Sequence, residues 1–192
     1  MAARTQRDKI VRAAAGLFRR KGYAGTGLND VVTESGAPKG SLYHYFPGGK
    51  EELGAEAVRF AGARVADTLK ALAAEHDHAG DLVRAYAGLL AGWMTKSAFR
   101  DGCPITTTLL ETTPESSAIA QAGREAIGSW IRILSDALIR DGVKDSEALQ
   151  LARFAISALE GALIAARVEA SAEAILEAGV TLQRLFLDAV RC

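Results

Sequence analysis

The run Lys39-Gly40-Ser41-Leu42-Tyr43-His44-Tyr45-Phe46 concentrates hydrogen-bonding side chains in a short stretch. An ammonium, a hydroxyl, two phenols and an imidazole can all donate to phosphate oxygens, and the lysine is long enough to reach a base edge. A helix of about two turns cannot bury all of them. Leu42 and Phe46 sit four apart and suit its core side, which turns Ser41, Tyr43 and His44 outward or sideways. Gly40, near the front of that helix, lets the backbone approach a phosphate. Packing against the first helix is the plain alternative for the aromatics.

The remaining reactive side chains form no such constellation. Cys103 stands between Gly102 and Pro104 at an expected helix start, where a helix N-terminus lowers a thiol's pKa. No resolving cysteine or activating histidine is close in sequence, so a buried, unreactive thiol is the expectation and cysteine-based redox sensing the alternative. The three histidines lack metal-ligand spacing, which argues against a metal site, and nothing calls for a cofactor. No nucleophile elbow, phosphate-binding glycine loop or paired His/Cys system is present, so no catalytic residue is expected and the chain does not read as an enzyme.

Charge separates two regions that the overall balance hides. Residues 1–50 hold nine basic side chains (Arg4, Arg7, Lys9, Arg12, Arg19, Arg20, Lys21, Lys39 and Lys50) against three acidic ones, a net of +6, and the rest of the neutral chain carries −6. A basic end on an acidic body suits a nucleic-acid reader with a separate second function, although basic surface also serves solubility. A purely structural helical module leaves that basic end unexplained, and a sequence-indifferent nucleoid binder would be smaller and net basic. Cys103 and Cys192 make no disulfide framework, no run matches the roughly 18 to 20 uncharged apolar residues of a membrane helix, and no secretory signal is legible at the start. A cytoplasmic protein is expected.

The elements that must position these residues are helical. Ile10, Ala14, Leu17 and Phe18 mark one buried face, with Thr5 and Asp8 as a capping pair and Gly22 as the stop. Thr26 is the expected N-cap of a short second helix carrying Leu28, Val31 and Val32. Gly36 and Pro38 break the chain before a third helix, and Pro47-Gly48-Gly49 ends it. One long helix should follow from Lys50 to about Glu75, with further helices near 80–97, 103–111, 115–141, 145–169 and 172–190. The reading is all-α, with about nine helices.

Gly22-Tyr23-Ala24-Gly25-Thr26, Leu28-Asn29-Asp30-Val31-Val32 and Gly36 through Phe46 together resemble the DNA-binding domain of TetR/AcrR-family repressors. Pro47-Gly48-Gly49-Lys50-Glu51-Glu52-Leu53 and the Gly102-Cys103-Pro104 turn resemble the LmrA/YxaF-like subgroup. The resemblance implies a helix-turn-helix DNA-binding domain over 4–64 and a ligand-binding and dimerisation domain over 65–192. It implies DNA contacts from Thr26, Ala37, Pro38, Lys39, Gly40, Ser41, Tyr43, His44, Tyr45 and Lys50. One aromatic of the three packs in such heads while its neighbours touch DNA. Many relatives carry serine at the position of Pro38; proline removes a hydroxyl and an N–H and offers apolar contact to a thymine methyl instead.

The resemblance further implies a homodimeric repressor, released from a palindromic DNA operator by a small apolar or aromatic effector. Trp93, Phe99, Cys103, Leu109, Leu110, Trp130 and Phe154 are candidates to line the effector pocket, each with ordinary core packing as the alternative. Ala155, Ala158, Ala162, Ala165 and Ala166, with Ala174, Ala178 and Thr181, form small-residue faces on the last two helices. They are the expected dimer interface, or else reflect helix propensity alone.

Overall fold

Thr5 opens the fold. Its hydroxyl accepts the Asp8 N–H at 3.2 Å and the Asp8 carboxylate accepts the Thr5 N–H at 3.3 Å, a reciprocal cap on α1 (Gln6–Lys21). Such a cap stabilises a helix by about 1 kcal/mol. The computed structural model describes residues 5–190. Arg4, Cys192 and the outer domain limits at 4 and 192 lie outside the described residues. Among the described residues the elements continue as α2 (Leu28–Ser35), α3 (Lys39–Tyr45), α4 (Gly49–Glu75), α5 (Ala79–Lys96), α6 (Thr106–Thr112), α7 (Ser117–Arg140), α8 (Asp145–Glu169) and α9 (Glu173–Val190), with no strand.

The chain divides into two compact units. The first takes in the chain up to Arg64 together with Cys103–Ala126; the second takes Val65–Gly102 and the chain from Ile127 onward. The first boundary between the units falls at 64/65, and α6 and the first part of α7 cluster with the first unit. Local periodicity could not show this, because the contacts join residues far apart in sequence.

In the first unit, Ile10, Ala14, Leu17 and Phe18 of α1 pack with Val31 of α2, Leu42 of α3, Phe46, and Leu53 and Ala57 of α4. The segment from α6 into α7 closes one side. A Cβ on Gly54 would come within 2.9 Å of both Ile119 and Tyr23, so α4 needs glycine there. The Ser116 hydroxyl donates to Glu51 at 2.5 Å. An ion-pair chain runs from Arg7 to Glu56, from Glu56 to Arg59 at 3.0 Å, and from Arg59 to Glu125 at 3.0 Å, linking α1, α4 and α7. Burial pushes the Glu56 carboxyl up, but hydrogen bonds and charge from Arg7 and Arg59 outweigh it and hold the group below the ordinary glutamate range.

In the second unit, α5 and α9 approach closely through glycines. A Cβ on Gly179 would lie 2.6 Å from Ala87, and one on Gly80 would lie 3.1 Å from the Gln183 carbonyl. Leu82, Val83, Tyr86, Ala152, Ala155, Leu159, Ile175, Leu182 and Phe186 are among its buried residues. Helix α8 is the most apolar long helix among the described residues, with mean hydropathy 1.4 over one stretch, but Arg153 and Glu160 interrupt it, so it is not an uncharged apolar run. Its apolarity covers two faces. Ala155, Leu159, Ala162 and Ala166 face the core, while Phe154, Ile164 and Val168 are exposed.

Candidate nucleic-acid interface

Helix α3 follows from a glycine turn. Gly36 ends α2 in the left-handed conformation (φ 64°), and its N–H donates to the Thr33 carbonyl at 3.3 Å. The Ser35 hydroxyl then accepts the Ala37 N–H at 3.2 Å, and Pro38 stands at the N-cap of α3. Leu42 and Phe46 are fully buried and set the rotation of α3. That rotation leaves Pro38, Lys39, Gly40, Tyr43, His44 and Tyr45 exposed, with Ser41 half-buried. Tyr43 is 52% exposed and Tyr45 37%, so neither phenol is absorbed by the core. His44 and Tyr45 meet edge to face, their centroids 5.1 Å apart.

Gly40 has open space where a Cβ would stand, so no neighbour inside the protein requires glycine there. Lys50 sits in the first turn of α4 with its ammonium 4.5 Å from the Tyr23 ring centroid, held at the surface of the unit by a cation–π contact. Burial first, and then the Glu51 carboxylate, push the Tyr23 phenol upward, so it stays protonated and uncharged at neutral pH. The basic side chains are unequally available. Arg7 pairs with Glu56, Arg20 with Glu34 at 3.0 Å, and Arg12 stacks over Phe60 at 4.8 Å.

Two of the expected contact residues point inward. Thr26 is 1% exposed, and its hydroxyl donates to the Gly22 carbonyl at 2.8 Å. The cap of α2 falls instead on Gly27, whose N–H donates to Asp30 at 2.9 Å. Threonine is a good cap by type, but here the turn needs its hydroxyl to close on itself. Ala37 is buried in the head core, and its N–H is already donated to Ser35.

The residues expected around an effector are divided between the two units. Cys103, Leu109 and Leu110 belong to the first unit; Trp93, Phe99, Trp130 and Phe154 belong to the second. Leu110 is 75% exposed, whereas Trp130 and Cys103 are buried. Leu109 packs against Gly123, where a Cβ would meet its side chain. Phe99 is half-buried in a left-handed turn (φ 58°). Cys103 is buried and lies three residues ahead of α6, outside that helix.

The small-residue faces on α8 and α9 differ in burial from residue to residue. Ala155, Ala162 and Ala166 are buried inside the unit, and Ala158, Ala165, Ala174 and Ala178 are half-buried; Thr181 alone is exposed. The open faces carry larger side chains: Phe154, Ile164 and Val168 on α8, and Leu176, Val180 and Leu185 on α9. Phe154, expected near an effector, is 53% exposed on α8.

Comparison with known proteins agrees with this geometry. Residues 10–57 match the family described as bacterial regulatory proteins of the tetR family, and residues 79–180 match the LmrA/YxaF-like transcriptional regulator C-terminal domain. The chain is 34% identical over 158 residues to the HTH-type transcriptional regulator YxaF of Bacillus subtilis, covering 82% of this chain and 83% of YxaF. It is 33% identical over 162 residues to LmrA of the same organism, covering 82% and 84%. It is 37% identical over 168 residues to the regulator Rv0196 of Mycobacterium tuberculosis, covering 84% of each. The fold matches a TetR regulatory protein of Rhodobacter sphaeroides with TM-score 0.80 at 22% identity, over 92% of this chain and 96% of that one. A TetR regulator of Chloroflexus aurantiacus superposes with TM-score 0.75 at 28% identity, over 95% and 94%. An α3 that offers lysine, tyrosine and histidine from a sealed three-helix head, together with these likenesses, places the chain in the TetR family, LmrA/YxaF-like branch: it is a DNA-binding transcriptional regulator and not an enzyme.

Proposed function

We propose that the chain acts in the cytoplasm as a homodimeric repressor, binding an inverted-repeat operator and leaving it when a small apolar or aromatic effector binds. The exposed row on α3 carries this reading. Pro38, Lys39, Gly40, Ser41, Tyr43, His44 and Tyr45 stand outside a helix whose inner side is sealed by Leu42 and Phe46, with Lys50 nearby in sequence on α4. In this arrangement Lys39 and the phenols reach base edges and phosphates while the head core stays intact.

One two-turn helix reads too little DNA by itself, and a two-fold dimer on a palindromic site is the usual remedy. The outer faces of α8 and α9 support the dimer. Six large apolar side chains lie exposed there (Phe154, Ile164, Val168, Leu176, Val180 and Leu185), more than a lone subunit in water leaves uncovered on adjacent helices. For the effector, α5 supplies the clearest apolar strip. Leu89 and Trp93 are one turn apart and exposed, and Gly88 and Gly92 beside them have open space where a Cβ would stand. A flat apolar ligand fits such a strip better than a charged one.

A gel shift with DNA from upstream of the protein's own gene, against random competitor, tests the reading. A retarded band that survives excess competitor is the expected result. Retardation that random DNA removes as readily would overturn it.

A further inference from the structure

The turn between α1 and α2 sets where the second and third helices point, and it is closed by its own atoms on one side only. The Gly22 N–H donates to the Phe18 carbonyl at 2.9 Å, the Thr26 hydroxyl to the Gly22 carbonyl at 2.8 Å, and the Thr26 N–H to the Tyr23 carbonyl at 3.2 Å. None of these uses the N–H of Ala24. That donor goes to Glu111 Oε2, 2.5 Å away and 87 residues on in the chain. The space is shaped for the carboxylate. Gly22 has φ 80°, and a Cβ on it would run into the Glu111 carboxyl group. Glycine there serves both the turn's backbone and the guest from α6.

Glu111 is itself held in place. Leu109, two residues earlier, packs against Gly123 of α7. Helix α7 is anchored to the head by Ile119 against Gly54 and Tyr23, and just ahead of it Ser116 bonds to Glu51. The carboxylate therefore reaches the turn from a fixed platform within the first unit. A charge-assisted bond from such a platform is stronger and more directional than one between neutral groups.

We propose that Glu111 is a positioning residue for DNA reading: its carboxylate clasps the Ala24 amide and holds the α1–α2 turn, and through it α2 and α3, in the orientation that fits the groove. The inference rests on the regulator reading above. Glu111 contacts no DNA in this scheme. Its role is to keep a small head in one conformation, so that binding does not have to select it from several.

The test uses the full-length protein with E111A, E111Q and E111D variants and two readouts. The first is hydrogen exchange of the Ala24 amide in the free protein. The second is the ratio of affinities for two duplexes, one enriched from a random-sequence pool by the parent protein and one unselected. E111A should speed Ala24 exchange and lower the affinity ratio several-fold, since the bond lies at the surface where water competes for both groups. E111D, one methylene short, should behave like E111A. E111Q keeps an acceptor oxygen and should recover most of both effects. Loss of general packing would instead weaken selected and unselected duplexes alike and would not be rescued by glutamine. Unchanged Ala24 exchange in E111A overturns the clasp, and an unchanged affinity ratio overturns its role in reading. If the parent enriched no duplex, the regulator reading would fail with the positioning role, while Ala24 exchange would still decide the clasp.

Discussion

Arg140 and Asp141, adjacent at the end of α7, cap two different helices of the second unit. The Arg140 guanidinium donates to the carbonyls of Ala73 at 3.1 Å and His76 at 3.2 Å, where α4 ends. The Asp141 carboxylate accepts the N–H of Ala79, the first residue of α5, at 2.6 Å. His78, the N-cap residue of α5, makes no side-chain cap, so Asp141 replaces it from another helix. The two caps differ in burial: the Asp141 side chain is 4% exposed, whereas the bonds of Arg140 lie at the surface.

That difference predicts unequal losses. D141A leaves a buried N–H without a partner and should destabilise by about 1–3 kcal/mol. R140A should cost less than about 1 kcal/mol, because water takes over the exposed carbonyls. Urea midpoints of the two variants at neutral pH check the order. Equal losses would mean that the Ala79 N–H finds another acceptor.

The ion-pair chain of the first unit predicts a pH dependence. The folded state holds Glu56 below the ordinary value of 4.5, by the guanidinium groups of Arg7 and Arg59 acting against burial. A depressed carboxyl contributes stability that is present above its unfolded value and lost as pH falls through its folded value. The contribution should therefore be intact at neutral pH and decline in the acid range below about 4.5. E56Q should lower stability at neutral pH and flatten this acid limb. Denaturation midpoints from pH 7 down to about pH 3 provide the check, and an unaltered acid slope in E56Q would place the effect elsewhere.

The outer and inner faces of α8 predict different failures. Ile164 is 59% exposed and Ala166 is fully buried, two residues apart on the same helix. I164D places a charge where a second subunit should cover it, so it should yield a folded monomer by sedimentation velocity and lose operator binding. A166L overpacks the core and should cost about 1–3 kcal/mol of stability. A folded I164D dimer would move the subunit contact away from this face.

Much of this was legible in the sequence, for reasons that differ by residue. The Thr5–Asp8 cap, the left-handed stop at Gly36 and the inward pair Leu42 and Phe46 depend on neighbours within a turn, so residue type and spacing decide them. Thr26 also looked local, but α2 begins one residue later, with Gly27 at its N-cap, and the Thr26 hydroxyl instead donates to the turn carbonyl of Gly22. On α8 the periodicity shows apolar residues on every side, and only the packed structure reveals that alanines face the core and Phe154, Ile164 and Val168 face out. Glu111 and Asp141 were invisible because their partners, Ala24 and Ala79, are backbone amides 87 and 62 residues away. A main-chain N–H leaves no mark in a sequence.

Lys39 and Thr26 predict opposite signatures in DNA binding. Lys39 is exposed at the start of α3, so K39A should leave the fold intact and weaken specific binding by about 1–3 kcal/mol if it reads a base. If it meets only a phosphate, the loss should be uniform across sequences and the salt slope should fall by about one. T26A removes a buried hydroxyl that closes the turn, so it should lower the melting temperature and leave the salt slope unchanged. Fluorescence anisotropy over a salt series, with melting curves, separates the two. A T26A variant of unaltered stability and reduced salt slope would return Thr26 to the contact set.

Gly40 gives the sharpest separation of stability from function. It lies in the first turn of α3, in open space, with no positive φ and no neighbour where a Cβ would stand. Glycine in a helix is worse than alanine by up to about 1 kcal/mol, so the fold alone would favour alanine at this position. If the α3 backbone approaches a DNA phosphate at this point, as proposed, a methyl group there would hold it away. G40A should therefore melt at the parent temperature or higher, yet bind operator more weakly by on the order of 1 kcal/mol or more. Gains in stability and losses in binding rarely come from the same substitution unless the residue serves a partner. The check is a melting curve beside an anisotropy titration on the same preparation. Equal operator affinity in G40A would show that the DNA backbone does not pass close to Gly40, and the proposed contact surface would then rest on the other exposed residues of the α3 row, Lys39, Tyr43 and His44 among them.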